Sequence, residues 1–210
     1  MAKLLNVLCE LKPVEKSPAL CVASEFLKEY SKCFPGDEIH TLDLYRDHIQ
    51  RIDADVLSGW EKIELGHAFA TLADDEQRKI GRIWKLADQF IDADKYVFVT
   101  PVWDVGFPAE FKSYIDAVYS ICRASRYTHE GPKGAFNNKN KKCLHFYGSN
   151  KFRKKNQVYD EVSYFSYIMS YLGVADVETI VVSESDSDSN DSKKAYSSTV
   201  KKAIEAASRF

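Results

Sequence analysis

Trp103 lies in the stretch TPVWDVGFPAEF between Pro101 and Pro108, so the backbone that carries its indole is stiffened on both sides. A planar ring system could lie against the amides of such a loop, although a tryptophan there can also simply close a core. A second stretch, CELKPVEKSPA, enters a helix at Ser17-Pro18; a serine N-cap followed by proline marks a helix start. Amides left free at such a start can hold a phosphate, but Ser17 could equally cap its helix with no ligand present. Lys12 and Lys16 favour an anion at this place, whereas Glu10 and Glu15 repel one. A third stretch, YGSNKFRKKN, offers Gly148, which lets a ligand approach the backbone closely. Its basic cluster Lys151, Arg153, Lys154 and Lys155 also suits a solvated face.

Other chemistries lack a signal. His40, His48, His67, His129 and His145 show no ligand or triad spacing, and there is no GxSxG elbow. The cysteines at 9, 21, 33, 122 and 143 contain no CxxC pair, so reduced, mostly buried thiols are expected and no metal site. A formal net charge of −2, with basic and acidic residues interspersed, provides no broad field for nucleic acid. The apolar run in MAKLLNVLCELKPVEK is far too short to span a membrane and has no cleavage signal, so a cytoplasmic protein is expected.

The elements that must position these stretches follow from apolar periodicity. Leu4 to Leu8, Ile39 to Leu44, Tyr96 to Thr100, Cys143 to Tyr147 and Thr179 to Val182 read as strands. IHTLDL alternates, as an edge strand does, while the others are nearly continuous in apolar character, as strands covered on both faces are. Helical stripes lie between them: Leu20, Ala23, Leu27, Tyr30; Ile80, Ile83, Trp84, Ala87, Ile91; Phe111, Tyr114, Ile115, Val118. Val158 to Leu172 and Tyr196 to Ala207 repeat the pattern. Residues 45 to 73 mix helical spacing with Gly59 and Gly66 and suggest a helical excursion; the acidic stretch 183 to 192 reads as a solvated loop before the last helix. The expected architecture is α/β, a doubly wound five-stranded parallel sheet in the flavodoxin-like order 2-1-3-4-5 with helices on both faces, in one domain over residues 1–210. In such a sheet ligands bind beyond the C-terminal strand ends where the order reverses, which selects the three stretches named first.

HTLDLY at 40 to 45, ADKYVFVTPVWDVGFPAEFKSYIDAV at 93 to 118, RYTHEGPKG at 126 to 134 and YLGVADVETIVV at 171 to 182 together resemble the FMN-dependent NADH:quinone oxidoreductases of the azoreductase family, over nearly the full length. The resemblance implies FMN as cofactor and two-step chemistry, in which NADH or NADPH reduces the flavin and leaves before a quinone or azo compound takes two electrons. It places the flavin phosphate at Glu10, Ser17, Pro18 and Ala19, and the isoalloxazine at Pro101, Val102, Trp103, Asp104 and Val105. A third flavin segment falls at Gly148, Ser149, Asn150 and Lys151, and Tyr127 falls near the substrate. It also implies a homodimer with two sites at the interface, and it requires no side-chain acid or base. The chain has Glu10 where the family usually has a neutral polar residue, Asp104 where it usually has Asn, and Asn150-Lys151 where it usually has two glycines. Those differences motivate an alternative, a non-catalytic homologue that binds or regulates on the same scaffold.

Overall fold

The computed structural model describes residues 1–104, 106–124, 127–128, 131–132, 141–150, 155–184 and 190–210. In chain order the elements are β1 (Lys3–Leu8), α1 (Pro18–Cys33), β2 (Glu38–Asp43), α2 (Ala54–Glu64), α3 (Asp74–Asp92), β3 (Lys95–Pro101) and α4 (Ala109–Ala124). They continue with β4 (Tyr127–Thr128), β5 (Gly131–Pro132), β6 (Lys142–Asn150), α5 (Lys155–Tyr171), β7 (Asp176–Glu184) and α6 (Asn190–Arg209). Five strands form one parallel sheet in the order β2-β1-β3-β6-β7, the 2-1-3-4-5 order expected, and β4 and β5 form a separate antiparallel pair. The chain runs from β1 outward to β2 and then returns to lay β3 on the other side of β1. The order therefore reverses between β1 and β3, and a crevice opens beyond their C-terminal ends.

Side chains that alternate across the sheet build two cores, one on each face. Val97 and Val99 of β3, with Leu144 and Phe146 of β6, pack against Ala19, Val22 and Phe26 of α1 and Ala203 and Ala207 of α6. Tyr96 and Phe98 point the other way, to Ile80 and Phe90 of α3, Phe111 and Tyr114 of α4, and Phe165 of α5. Strands covered on both faces need continuous apolar runs; β2, at the edge, has only Leu42 buried.

Local signals decide where helices begin. The Ser17 hydroxyl caps α1, accepting the Leu20 amide at 3.4 Å. Glu76 closes the start of α3 by accepting the Ala73 amide at 3.0 Å. The excursion expected in 45 to 73 is α2 and a short 3₁₀ turn, Phe69–Thr71. Gly59 lies inside α2 because a Cβ there would come within 2.5 Å of Ile80 Cδ1 and 3.3 Å of Glu76 Cβ; the bare backbone lets α2 lie close on α3.

Three expectations are corrected. Gly148, Ser149 and Asn150 are not loop residues: β6 runs on through them, pairing Pro101 with Gly148, and Ser149 and Asn150 with Ser183 and Glu184. The same pairing extends β7 into the acidic stretch, and α6 begins at Asn190, so residues 183 to 192 are not one loop; 185 to 189 lie outside the described residues. The thiols are also less uniformly hidden than expected: Cys9 and Cys143 are buried, Cys21 is half-buried and Cys33 is exposed, while the Cys122 side chain is outside the described residues.

Candidate functional site

Three hydrogen-bonded or packed seams bring the selected stretches together. Past the end of β1, the Cys9 amide donates to the Val99 carbonyl at 2.9 Å, which holds Glu10 beside the end of β3. The Val102 amide donates to the Gly148 carbonyl at 3.0 Å, which ties the Trp103 loop to β6. A Cβ added at Gly148 would lie 3.5 Å from Ala19 Cβ, Pro101 Cα and the Thr100 carbonyl oxygen, so the end of β6 also faces the first turn of α1.

The Trp103 loop is a tight turn. Trp103 and Gly106 exchange amide-to-carbonyl bonds at 2.9 and 2.8 Å, and Asp104 takes φ +39° between them. That left-handed conformation is one Asn and Asp adopt more readily than other side chains, which gives Asp104 a backbone role whatever its charge does. Trp103 does not close the core: it is 44% exposed, and its ring leans on Tyr45 with centroids 6.0 Å apart.

At the N-terminus of α1 most of the donors are already engaged. Glu10, 7% exposed, accepts the Lys12 amide on Oε1 at 3.0 Å and the Ser17 hydroxyl on Oε2 at 3.2 Å. The same Ser17 oxygen accepts the Leu20 amide, the Cys21 amide goes to the Ser17 carbonyl, and Pro18 has no N–H to give. Ser17 therefore caps its helix.

Several neighbours of the site gave no sequence signal of their own. The Tyr45 hydroxyl is buried beside Glu110 of α4. Burial, and then the negative charge of Glu110 and Glu10 nearby, raises its pKa and keeps it protonated. Burial first, with Glu110 adding to it, pushes the Cys9 thiol up to about 12, so it is an inert packing group. Thr100, the residue before Pro101, meets His145 Nε2 at 2.8 Å; Thr179 approaches Nδ1 at 3.4 Å, and the ring stacks on Phe165 at 3.8 Å. Burial lowers the pKa of His145 to about 3, so the imidazole is neutral and bridges β3, β6 and β7 as a structural group. Tyr45 could have been noticed through HTLDLY, which ends on it at the same edge of the sheet; His145 sits in an apolar run and carries no pattern.

Of the residues selected from sequence, Glu10, Ser17, Pro18, Ala19, Pro101, Val102, Trp103, Asp104 and Gly148 converge on this crevice, and Ser149 is buried just beyond it in β6. Asn150 and Tyr127 are described in backbone alone, in β6 and in the β4–β5 pair; Val105 and Lys151 lie outside the described residues. A planar ring with an anionic tail suits this ground in two respects. Gly148 leaves the cleft between Ala19 and Pro101 without a side chain, and Trp103 with Tyr45 supplies an aromatic flank. The anionic tail suits it only if the Glu10 carboxylate gives up its donors. Among the described residues no group of His, Cys, Asp and Glu is placed to hold a metal, and no helix is long and apolar enough to cross a membrane.

Comparison with known proteins agrees with this arrangement. A family model described as flavodoxin-like fold matches residues 3–206. The FMN-dependent NADH:quinone oxidoreductase of Geotalea uraniireducens is 50% identical over 210 residues, covering 100% of both chains. The protein of the same name from Trichlorobacter lovleyi is 44% identical with the same coverage. An azoreductase structure from Bacillus anthracis strain Sterne superposes with a TM-score of 0.86 at 26% identity, again over 100% of each chain. The chain belongs to the flavodoxin-like family that includes the FMN-dependent NADH:quinone oxidoreductases.

Proposed function

We propose that the chain is an FMN-dependent oxidoreductase that passes two electrons from NADH or NADPH to quinones or azo compounds by a ping-pong mechanism. The observation that carries this reading is the convergence of the three segments at the β1/β3 switch point, in a chain identical at half its positions to a full-length FMN-dependent NADH:quinone oxidoreductase. Half of all positions identical over the full length of such an oxidoreductase favours the enzyme over the non-catalytic alternative.

Bound FMN supplies the chemistry, a two-electron carrier that can be reduced by one substrate and reoxidised by the next. The residues of this chain bind and orient. Pro101 to Asp104 form the seat for the ring, with the Trp103–Gly106 bonds holding their backbone in place, and Val105 is next in sequence. Gly148 keeps the cleft open, followed by Ser149, Asn150 and Lys151, while Ser17, Pro18 and Ala19 lie at the phosphate end with Glu10 beside them. Trp103 and Tyr45 present an aromatic flank for a flat acceptor, with Tyr127 on the substrate side. No proton transfer by a side chain is needed, and the neutral His145 with the protonated Tyr45 is consistent with that. The working form is a cytoplasmic homodimer, each chain one domain.

The test is anaerobic. Purified protein loaded with FMN should lose its visible flavin absorbance on addition of NADH and regain it on addition of a benzoquinone or an azo dye. Protein that stays colourless in millimolar FMN, or whose bound flavin neither NADH nor NADPH bleaches, would refute the reading.

A further inference from the structure

The Glu10 carboxylate sits where an anionic ligand at the start of α1 would have to sit. It lies two residues past β1, is more than nine-tenths buried, and holds the Lys12 amide and the Ser17 hydroxyl at 3.0 and 3.2 Å. Those are donors a phosphate at this turn would use, and α1 has few to replace them: the Leu20 and Cys21 amides return to Ser17 and Pro18 has none, which leaves the Ala19 amide. The carboxylate also lies at the positive end of a 16-residue helix, where a negative charge is favoured. Charge on the surrounding elements adds to the contest. Lys12 and Lys16 flank Glu10 on its own loop, and Glu110 of α4 acts on Cys9 and Tyr45 together with Glu10.

We propose that Glu10 is the specificity-determining residue for the flavin tail. It acts as a built-in anion that satisfies the phosphate subsite, so that the native chain gains little from the phosphate of FMN and binds riboflavin nearly as well. This rests on the flavin reading above and adds to it a prediction about which flavin is held. A phosphate that enters must displace the carboxylate from two donors or share the turn with it; the ring seat at Trp103 and Gly148 is untouched by either outcome.

The experiment is a pair of titrations, FMN and riboflavin, each followed by flavin fluorescence, on the native chain and on Glu10→Gln and Glu10→Ser. Thermal melts establish that each variant is folded. Removing the charge should tighten FMN by about tenfold or more and leave riboflavin within about twofold, because only the tail meets residue 10. If FMN and riboflavin shift together, if neither shifts, or if FMN weakens, Glu10 does not stand in for the phosphate and the inference is overturned while the flavin reading survives. If neither the native chain nor either variant binds any flavin, the flavin reading itself fails, and the inference with it.

Discussion

His145 offers a sharp test of the fold beneath the site. Its ring is fully buried between Thr100 on β3 and Thr179 on β7, stacked on Phe165, and burial lowers its pKa from the usual 6.5 to about 3. A histidine whose folded pKa is depressed binds fewer protons folded than unfolded. It therefore leaves stability intact above pH 6.5 and draws it down as pH falls from there until the folded ring also protonates near 3. Each unit is worth about 1.4 kcal/mol, so at about pH 5 the unfolded state gains roughly 2 kcal/mol from this one residue relative to neutral pH. The perturbation is His145→Phe, which keeps a ring against Phe165, with His145→Gln as a second variant that keeps a polar atom for Thr100.

Urea unfolding of the native chain and both variants at several pH values between neutral and mildly acidic isolates the effect. Carboxylates and the other histidines titrate alike in all three, so the difference in slope belongs to residue 145. The variants should show a shallower loss of stability toward acid, by about 2 kcal/mol at the acid end, whatever their stability at neutral pH. Parallel curves would mean that His145 gains its proton in the folded protein, and the neutral bridge between β3 and β7 would be wrong.

Three further outcomes are expected. Gly148→Ala should fold with stability changed by less than about 1 kcal/mol, since its Cβ meets only ordinary contacts at 3.5 Å, yet FMN affinity measured by fluorescence should fall by about tenfold as the methyl enters the cleft. Gly59→Ala should cost about 1–3 kcal/mol in urea unfolding, because the contact with Glu76 Cβ cannot be relieved by a side-chain rotation as that with Ile80 Cδ1 can. Glu76, held well below the carboxylate range at about 2 first by Lys62 and then by Ser58 and the Ala73 amide, stabilises the fold above its ordinary 4.5 and loses that contribution as pH falls toward 2. The stability difference between the native chain and Glu76→Gln, followed by circular dichroism, should accordingly shrink across that window.

The strand order was legible because the strands buried on both faces are written as apolar runs, and polar strand ends are what that signal misses. Gly148 to Asn150 and Ser183 to Glu184 are polar or small, and they are strand because Gly148 pairs with Pro101 and Val182, and Ser149 and Asn150 pair with Ser183 and Glu184, a property of distant segments together. Gly59 illustrates the converse error: a glycine in a helical pattern suggests a break, but here it marks the place where two helices touch. Strands as short as β4 and β5, two residues each, have no period to read.

The crevice was legible from topology and from Trp103, but the state of its polar groups was not. From sequence, Ser17 is either a cap or a phosphate ligand, and Glu10 is a repulsive charge near it. The structure makes these one fact, since the capping hydroxyl donates to the carboxylate. Repulsion is then only part of what an incoming phosphate meets. It must also take over two hydrogen bonds, each worth about 1 kcal/mol net and more when made to a charge, that are already satisfied within the chain. A family position that changes from a neutral polar residue to glutamate can thus leave the fold, the ring seat and the strand register intact while it alters the one term that distinguishes FMN from riboflavin, and that term depends on which donors the new carboxylate finds.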